Sequence, residues 1–107
     1  MLVRMPVTGG GPPKLRPALL LSMLPGPYQN VLLCGISTVL SQQQVDWDEL
    51  MRPGDTDFKK SGLHQASIIR LSYLYASEHT EIAGTIGRID ADRLDRLRTR
   101  LADQVKP

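Results

Sequence analysis

The sequence predicts a single, mainly β domain of the α+β class, in which short strands precede one C-terminal helix. The chain has 107 residues, a length that suits one hydrophobic core. Its apolar runs have the length of strands and are separated by Gly and Pro, and only the last apolar residues follow helical spacing. We therefore treat residues 1–107 as one domain.

The composition indicates a folded protein and excludes several classes. Leu, Val, Ile and Phe account for 29 residues, above the level typical of disordered chains. The few aromatic residues disfavour the wide stacking platforms of many RNA-binding modules. Cys34 is the only cysteine, which excludes an intramolecular disulfide and suits a reducing compartment. Neither a membrane span nor a secretory signal is recognisable, so we expect a cytoplasmic protein without membrane association.

The first two strands are predicted on either side of a loop. Leu2–Val7 is a short β-compatible run, and Pro6 indicates an edge or a strand end because proline cannot donate a backbone hydrogen bond. Residues 8–13 (TGGGPP) predict a surface loop. Residues 18–23 form an apolar run between two prolines that is too short for a helix. We expect a buried strand there, with Arg16 at its start.

The central part of the chain predicts two further strands. Residues 30–38 are almost continuously apolar and end in two hydroxyl residues, which predicts the third strand. Residues 39–57 predict a long connection, in which 45–47 is the best candidate for a short strand. Residues 67–71 are strongly β-prone and follow a turn at Gly62, which predicts the fourth strand.

The last elements are a strand and a helix. Residues 81–89 have isoleucines at helical spacing but also two glycines, so we predict a turn and a final strand. For the closing helix, Asp90 is expected to be the N-cap, and Ile89 and Leu94 are expected to form a hydrophobic staple. The apolar stripe of this helix consists of Leu94, Leu97, Leu101 and Val105.

The charges are distributed unevenly along the chain. The net charge is only +2, but residues 1–45 contain Arg4, Lys14 and Arg16 and no acid, whereas residues 46–57 contain five acids and one arginine. The acidic segment is expected to be a solvated connection. Beside a groove built from the first three strands, it would repel a polyanion and define the rim.

Several chemistries find no support in the sequence. It contains neither a phosphate-binding Gly-Lys-Ser/Thr loop nor a Gly-x-Ser-x-Gly elbow. His64 and His79 stand in polar, turn-like sequence without a neighbouring Cys or His, so we interpret both as surface residues. The carboxylates of residues 46–57 match no known cation-binding loop. We therefore expect neither a metal site nor a cofactor.

One constellation of residues remains after these exclusions. Arg16 precedes the second strand, and Ser37 and Thr38 end the third. If these strands are antiparallel neighbours, the start of one lies beside the end of the other, and Arg16 can approach Ser37. A guanidinium and a hydroxyl suit a phosphodiester under attack. The alternative is an ordinary surface arginine near a polar strand end.

Three motifs, in this order along nearly the whole chain, resemble the MazF/PemK family of toxin ribonucleases. They are Arg16-Pro17 at the start of an apolar strand, Gly-Ile-Ser-Thr at 35–38, and Ser-Ile-Ile-Arg at 67–70. The resemblance implies a small antiparallel SH3-like barrel of the CcdB/PemK type with a C-terminal helix. It also implies a homodimer that is neutralised by a cognate antitoxin and cleaves single-stranded RNA without a metal or another cofactor.

The resemblance also assigns roles to individual residues. Arg16 matches the arginine expected to act on the scissile phosphate, and Ser37 matches the catalytic hydroxyl. Related proteins that share Arg70 have an acid two positions later, where this chain has Ser72. The substrate-binding candidates are Lys14, Thr38, Arg70 and Ser72.

The reaction implied by the resemblance places this protein as the toxin of a type II toxin–antitoxin system. The RNA 2′-hydroxyl attacks the adjacent phosphorus and leaves a cyclic phosphate and a 5′-hydroxyl. The protein therefore need only orient the RNA and neutralise the charge on the phosphate. Two alternatives remain open: a non-catalytic relative that docks on a protein as CcdB does, or a scaffold bound to the antitoxin. Neither alternative requires Arg16 and Ser37 to be directed at one pocket.

Overall fold

The computed structural model describes residues 1–7 and 14–106, which form one antiparallel sheet and a C-terminal helix. The predicted loop at 8–13 lies outside the described residues. The strands follow the order β4-β5-β3-β2-β1-β6 across the sheet, which confirms a mainly β protein of the α+β class. They are β1 (Leu2–Val7), β2 (Lys14–Met23), β3 (Asn30–Ser37), β4 (Glu49–Met51), β5 (Ser67–Glu78) and β6 (Gly84–Gly87).

Two α-helices and two turns of 3-10 helix complete the described chain. The short helix α1 spans Phe58–Ser61, and the closing helix α2 spans Ala91–Val105. The 3-10 turns lie at Leu40–Gln42 and His79–Glu81. The sequence did not predict α1, which is only one turn long and ends at Gly62 in the left-handed conformation.

Side chains alternate between two faces of the sheet, and each face has its own core. We call the face that packs against α2 the helix face. It contributes Leu19, Leu21, Cys34, Ile36 and Leu71, which cluster with Leu97 of α2. The other face, which we call the opposite face, carries a smaller buried cluster of Val3, Met5, Ala18, Val31 and Leu33. Consecutive residues of one strand therefore pack into different cores, one on the helix face and one on the opposite face.

The closing helix follows the predicted apolar stripe but is capped differently. Leu94, Leu97 and Leu101 pack against the core, whereas Val105 is 70% exposed. Asp90 occupies the N-cap position, but its side chain makes no capping hydrogen bond. The Asp90 carboxylate instead accepts a hydrogen bond from Thr56 at 2.6 Å and pairs with Lys60, and these contacts tie the helix start to α1.

The predicted strand at 45–47 is wrong, because these residues form a turn and the strand follows at Glu49–Met51. The Asp48 carboxylate accepts a hydrogen bond from the Gln44 backbone N–H at 2.9 Å, and Asp46 has a positive φ of 70°. This local bonding closes a loop where an extended chain was expected.

The fourth predicted strand is longer than expected and contains a register shift. β5 continues to Glu78 and pairs with β3 along its length. Cys34 pairs with Leu74, whereas the next residue, Gly35, pairs with Arg70, so residues 71–73 are additional on β5. We call residues 71–73 the β5 bulge. Bulges of this kind redirect side chains, and here the residue affected is Tyr73.

Candidate functional site

Arg16 and Ser37 lie on neighbouring antiparallel strands, β2 and β3. Ala18 of β2 pairs with Gly35 of β3, and the same register continued by two residues places Arg16 across from Ser37. Because Arg16 and Ala18 are two residues apart, as are Gly35 and Ser37, all four belong to the opposite face. The antiparallel pairing that the expected approach of Arg16 to Ser37 requires is present, the approach itself stays a prediction, and no hydrogen bond joins the two residues in the described chain.

The Ser37 hydroxyl is positioned by the turn that follows β3. Its Oγ donates to Oε1 of Gln42 at 2.8 Å and accepts a hydrogen bond from the Val39 backbone N–H at 3.0 Å. Ser37 is half-buried, whereas Thr38 is exposed in the bend that follows the strand. Of the two hydroxyl residues that the sequence singles out, Ser37 is therefore the one whose position is fixed by hydrogen bonds.

Arg70 joins Arg16 on the opposite face. It pairs with Gly35, the residue that also pairs with Ala18, so the three positions are aligned across β2, β3 and β5. The Arg70 guanidinium carbon lies 5.4 Å from the ring centroid of Tyr73. Its Nε is buried and has no hydrogen-bond acceptor within residues 1–7 and 14–106.

Lys14 completes a set of three cations on the opposite face. It lies two residues before Arg16 on β2 and is exposed. In the part of the chain that the structure describes, none of Lys14, Arg16 and Arg70 forms a salt bridge. Arg4 is different, because it pairs with Pro17 and alternation places it on the helix face. The opposite face thus carries three cations that have no ion-pair partner in the described chain.

Ser72 is not brought together with these residues. Its hydroxyl donates to Asp48 Oδ1 at 2.8 Å, and its backbone N–H donates to the same oxygen at 3.0 Å. Asp48 is only 6% exposed. Ser72 therefore bonds to the buried Asp48 and helps to fix the β5 bulge, and it does not lie beside Arg16 and Ser37.

The acidic segment is not the solvated connection that the sequence predicts. Asp48 and Asp57 are buried, and the Glu49 carboxylate receives the Arg93 and Arg96 side chains at 2.8 and 2.9 Å. Further ion pairs join Arg100 to Glu49 and join Arg93 to Asp55 and Asp57. Glu49 pairs with Ile69, whose side chain belongs to the helix-face core. The segment is neutralised by α2 and does not form a repelling rim around the cations.

Tyr73 was missed by the sequence analysis. It is 53% exposed, and a Cβ built on Gly35 would lie 3.1 Å from its Cδ1 atom, so the ring covers the β3 backbone at a position that lacks a side chain. The pattern of the sequence places Tyr73 two residues after a strand that appeared to end at Leu71. The only available signal was a glycine in the middle of an apolar strand.

The described residues offer neither a metal site nor a membrane-spanning helix. Within residues 1–7 and 14–106 taken together, no group of three or more His, Cys, Asp or Glu side chains is arranged to hold a metal ion. Neither α1 nor α2, the described α-helices, has the length and apolarity required to cross a membrane.

Comparison with known proteins identifies a matching family and a similar structure. The family model of PemK-like, MazF-like toxins of type II toxin–antitoxin systems matches residues 1–105. Among solved structures, the chain is similar to the Mycobacterium tuberculosis toxin MazF-mt6, with a TM-score of 0.69 and 17% sequence identity. The alignment covers 98% of this chain and 96% of that one. No curated protein sequence gives a significant match.

Proposed function

The chain belongs to the PemK-like, MazF-like toxins of type II toxin–antitoxin systems, and from this membership we propose that it is an endoribonuclease that cleaves single-stranded RNA without a metal. The fold expected from the resemblance agrees with the MazF-mt6 structure over almost the whole chain. The reaction itself is inferred from the chemistry of the exposed cations and of Ser37.

The observation that carries the proposal is a group of three cations on the opposite face that have no ion-pair partner in the described chain. Lys14, Arg16 and Arg70 share this face with Ser37, and the β2–β3 register, if it is extended two residues beyond Ala18 and Gly35, sets Ser37 across from Arg16. Permanent charge on the two arginines attracts the phosphate backbone of RNA. The same charge stabilises the additional negative charge that develops on a phosphodiester under attack.

The assignment of roles follows from the acidity of the groups. A guanidinium has a pKa above about 12, so Arg16 is a poor proton acceptor at neutral pH. We assign it the electrostatic role of orienting the phosphate and stabilising the transition state. Ser37 supplies a hydroxyl on the same face, which becomes a donor to the phosphate when its proton leaves Gln42 Oε1. The nucleophile is the RNA 2′-hydroxyl, and DNA is spared because it lacks this group.

Membership of a type II system also supports two protein partners. We propose a cognate antitoxin with an acidic segment that covers the three cations and competes with RNA, and we place this encounter in the cytoplasm, where mRNA is available.

We propose a homodimer as well. In the described chain, β4 pairs only with the first three residues of β5, so the edge of β5 from Leu74 to Glu78, beyond the β5 bulge, has no strand beside it. Such an edge is commonly covered by a partner.

The activity is tested with purified protein and a mixed RNA in excess chelator. We expect cleavage that persists in chelator and products that carry 5′-hydroxyl ends. Arg16→Ala should reduce the rate by about a hundredfold or more. The matched control is Arg4→Ala, because Arg4 lies one strand away but on the helix face.

Three outcomes would contradict the proposal. Loss of cleavage in chelator, or products with 5′-phosphates, would point to a different reaction. Equal loss of activity in Arg4→Ala and Arg16→Ala would remove the specific role of Arg16. Antitoxin binding without any RNA cleavage would favour the alternative of a non-catalytic docking protein or scaffold.

Light scattering at micromolar concentration tests the dimer, and a strictly monomeric mass would reject it.

A further inference from the structure

Tyr73 is an aromatic side chain that is held by its neighbours and yet is 53% exposed. The Arg70 guanidinium carbon lies 5.4 Å from its ring centroid. The Tyr75 ring packs edge-on, with the centroids 5.9 Å apart and the planes at 70°. A tyrosine has few rotatable bonds, and these contacts restrict them further, so it can bind a ligand at little cost in conformational entropy.

The ring occupies space that only a glycine on β3 leaves free. A Cβ on Gly35 would lie 3.1 Å from Tyr73 Cδ1, tighter than ordinary contact. Gly35 is two residues before Ser37 on the same strand, and both positions belong to the opposite face. The Tyr73 ring therefore borders the surface that carries Ser37 and Arg16.

The β5 bulge is what brings Tyr73 to this surface. Its three additional residues separate Arg70, which pairs with Gly35, from Leu74, which pairs with Cys34. The bulge is fixed at its centre, where Ser72 donates its hydroxyl and its backbone N–H to the buried Asp48 carboxylate. The position of Tyr73 is thus determined by contacts on both sides.

We propose that Tyr73 stacks on a nucleobase of the bound RNA while Arg70 binds a phosphate beside that base. The proposal rests on the proposed function and assigns a substrate contact to a residue that the family resemblance did not include. Every base offers a π-face, and stacking on an exposed aromatic side chain is tolerant of sequence. Arg70 forms no salt bridge in the described chain, and a phosphate oxygen is the kind of acceptor that a guanidinium binds best.

The experiment measures binding separately from cleavage. Short single-stranded RNA whose 2′-hydroxyls are all methylated cannot be cut by the proposed reaction, and its affinity is measured by fluorescence anisotropy. A series of such oligonucleotides carries one abasic nucleotide at each position in turn. With the unmodified protein, we expect the abasic substitution at one position to weaken binding by about tenfold or more.

The variants identify Tyr73 as the partner of that base. Tyr73→Leu should bind the intact oligonucleotide about tenfold more weakly and should be insensitive to the abasic substitution at that position. Tyr73→Phe should behave as the unmodified protein, because stacking does not need the hydroxyl. Tyr28→Leu is the matched control, since Tyr28 is 71% exposed and precedes β3 at the end of the strand away from Ser37. It should leave binding unchanged.

The outcomes separate this proposal from the proposed function. The stacking contact is overturned if the abasic series affects Tyr73→Leu as strongly as the unmodified protein, or if Tyr73→Phe binds as weakly as Tyr73→Leu. Thermal melting checks that each variant folds. If Tyr73→Leu does not fold, Tyr73→Met takes its place, because methionine is flexible and has no π-face, and it should likewise be insensitive to the abasic substitution. Cleavage of unmodified RNA without Tyr73-dependent binding would reject only the stacking contact, whereas Tyr73-dependent binding without cleavage would reject only the nuclease.

Discussion

Ser72 and Asp48, which are 24 residues apart in the sequence, are joined by hydrogen bonds from both the backbone N–H and the hydroxyl of Ser72 to one carboxylate. The same carboxylate accepts a bond from the Gln44 N–H at 2.9 Å. One buried acidic side chain thus connects the loop before β4 to the β5 bulge.

We expect Asp48→Ala to lower the free energy of unfolding by about 2–4 kcal/mol, because it leaves the backbone N–H groups of Gln44 and Ser72 without an acceptor. Ser72→Ala removes only the hydroxyl donor and should cost about 1 kcal/mol. Urea denaturation of both variants measures the difference. Equal midpoints for the two variants would mean that Asp48 does not organise the loop and the bulge together.

Acid should destabilise the protein through the carboxylates that pair with arginine and lysine. Desolvation opposes ionisation of Glu49, but hydrogen bonds from Arg96 and Arg100 outweigh it and lower its pKa. The main cause that lowers the pKa of Asp90 is the hydrogen bond from Lys60. Because folded-state pKa values lie below the unfolded ones, this stabilisation is fully present above about pH 5 and is lost as the pH falls through about 4 and below.

Glu49→Gln tests this pH dependence. We expect it to lower the free energy of unfolding at neutral pH by about 2–4 kcal/mol and to flatten the loss of stability in acid, because the ionised partner of three arginines is removed. Glu81→Gln makes the same chemical change at an exposed glutamate that forms no ion pair within the described residues. Urea titrations between pH 3 and 7 compare the two variants, and parallel pH profiles would contradict the ion-pair account.

The Cys34 thiol should be inert in the folded protein. Burial is the main cause that raises its pKa to about 12, and the nearby Asp48 charge contributes in the same direction. The thiolate is the reactive form, so we expect iodoacetamide to label Cys34 only after unfolding. Mass spectrometry with and without urea measures the labelling. Rapid modification under native conditions would show that the helix-face core opens frequently.

Gly62→Ala should be severely destabilising. Gly62 has a φ of 79°, and a Cβ there would lie 2.1 Å from the carbonyl oxygen of Ile86 in β6. We expect a loss of more than about 2 kcal/mol, since both the backbone conformation and the contact are unfavourable. Gly54→Ala is the control, because a Cβ at Gly54 meets no atom within 4 Å. Thermal melting of both variants gives the comparison, and similar melting temperatures would contradict it.

The parts of the fold that depend on local pattern were predictable. The bounds of β1 and the apolar stripe of α2 follow directly from apolar spacing, and β2 and β3 are the antiparallel neighbours on which the expected approach of Arg16 to Ser37 depends. In each case the side chains that determine the element are close together in the sequence.

The parts that depend on contacts distant in sequence were not predictable. β5 was expected to end at Leu71 because the bulge interrupts its alternation, and the Asp48 contact that stabilises the bulge comes from another part of the chain. The acidic segment looked solvated because its partners, Arg93 among them, are more than thirty residues away on α2. Tyr73 was overlooked for the same reason.

The neutralisation of the acidic segment by α2 also affects how the protein attracts a polyanion. Three arginines of α2 are balanced by carboxylates on the helix face, whereas Lys14, Arg16 and Arg70 on the other side of the sheet are not. A small net charge of +2 therefore conceals a local surface on the opposite face where three cations have no anionic partner in the described chain. A polyanion is attracted to this surface at short range, although its long-range attraction to the whole molecule is weak.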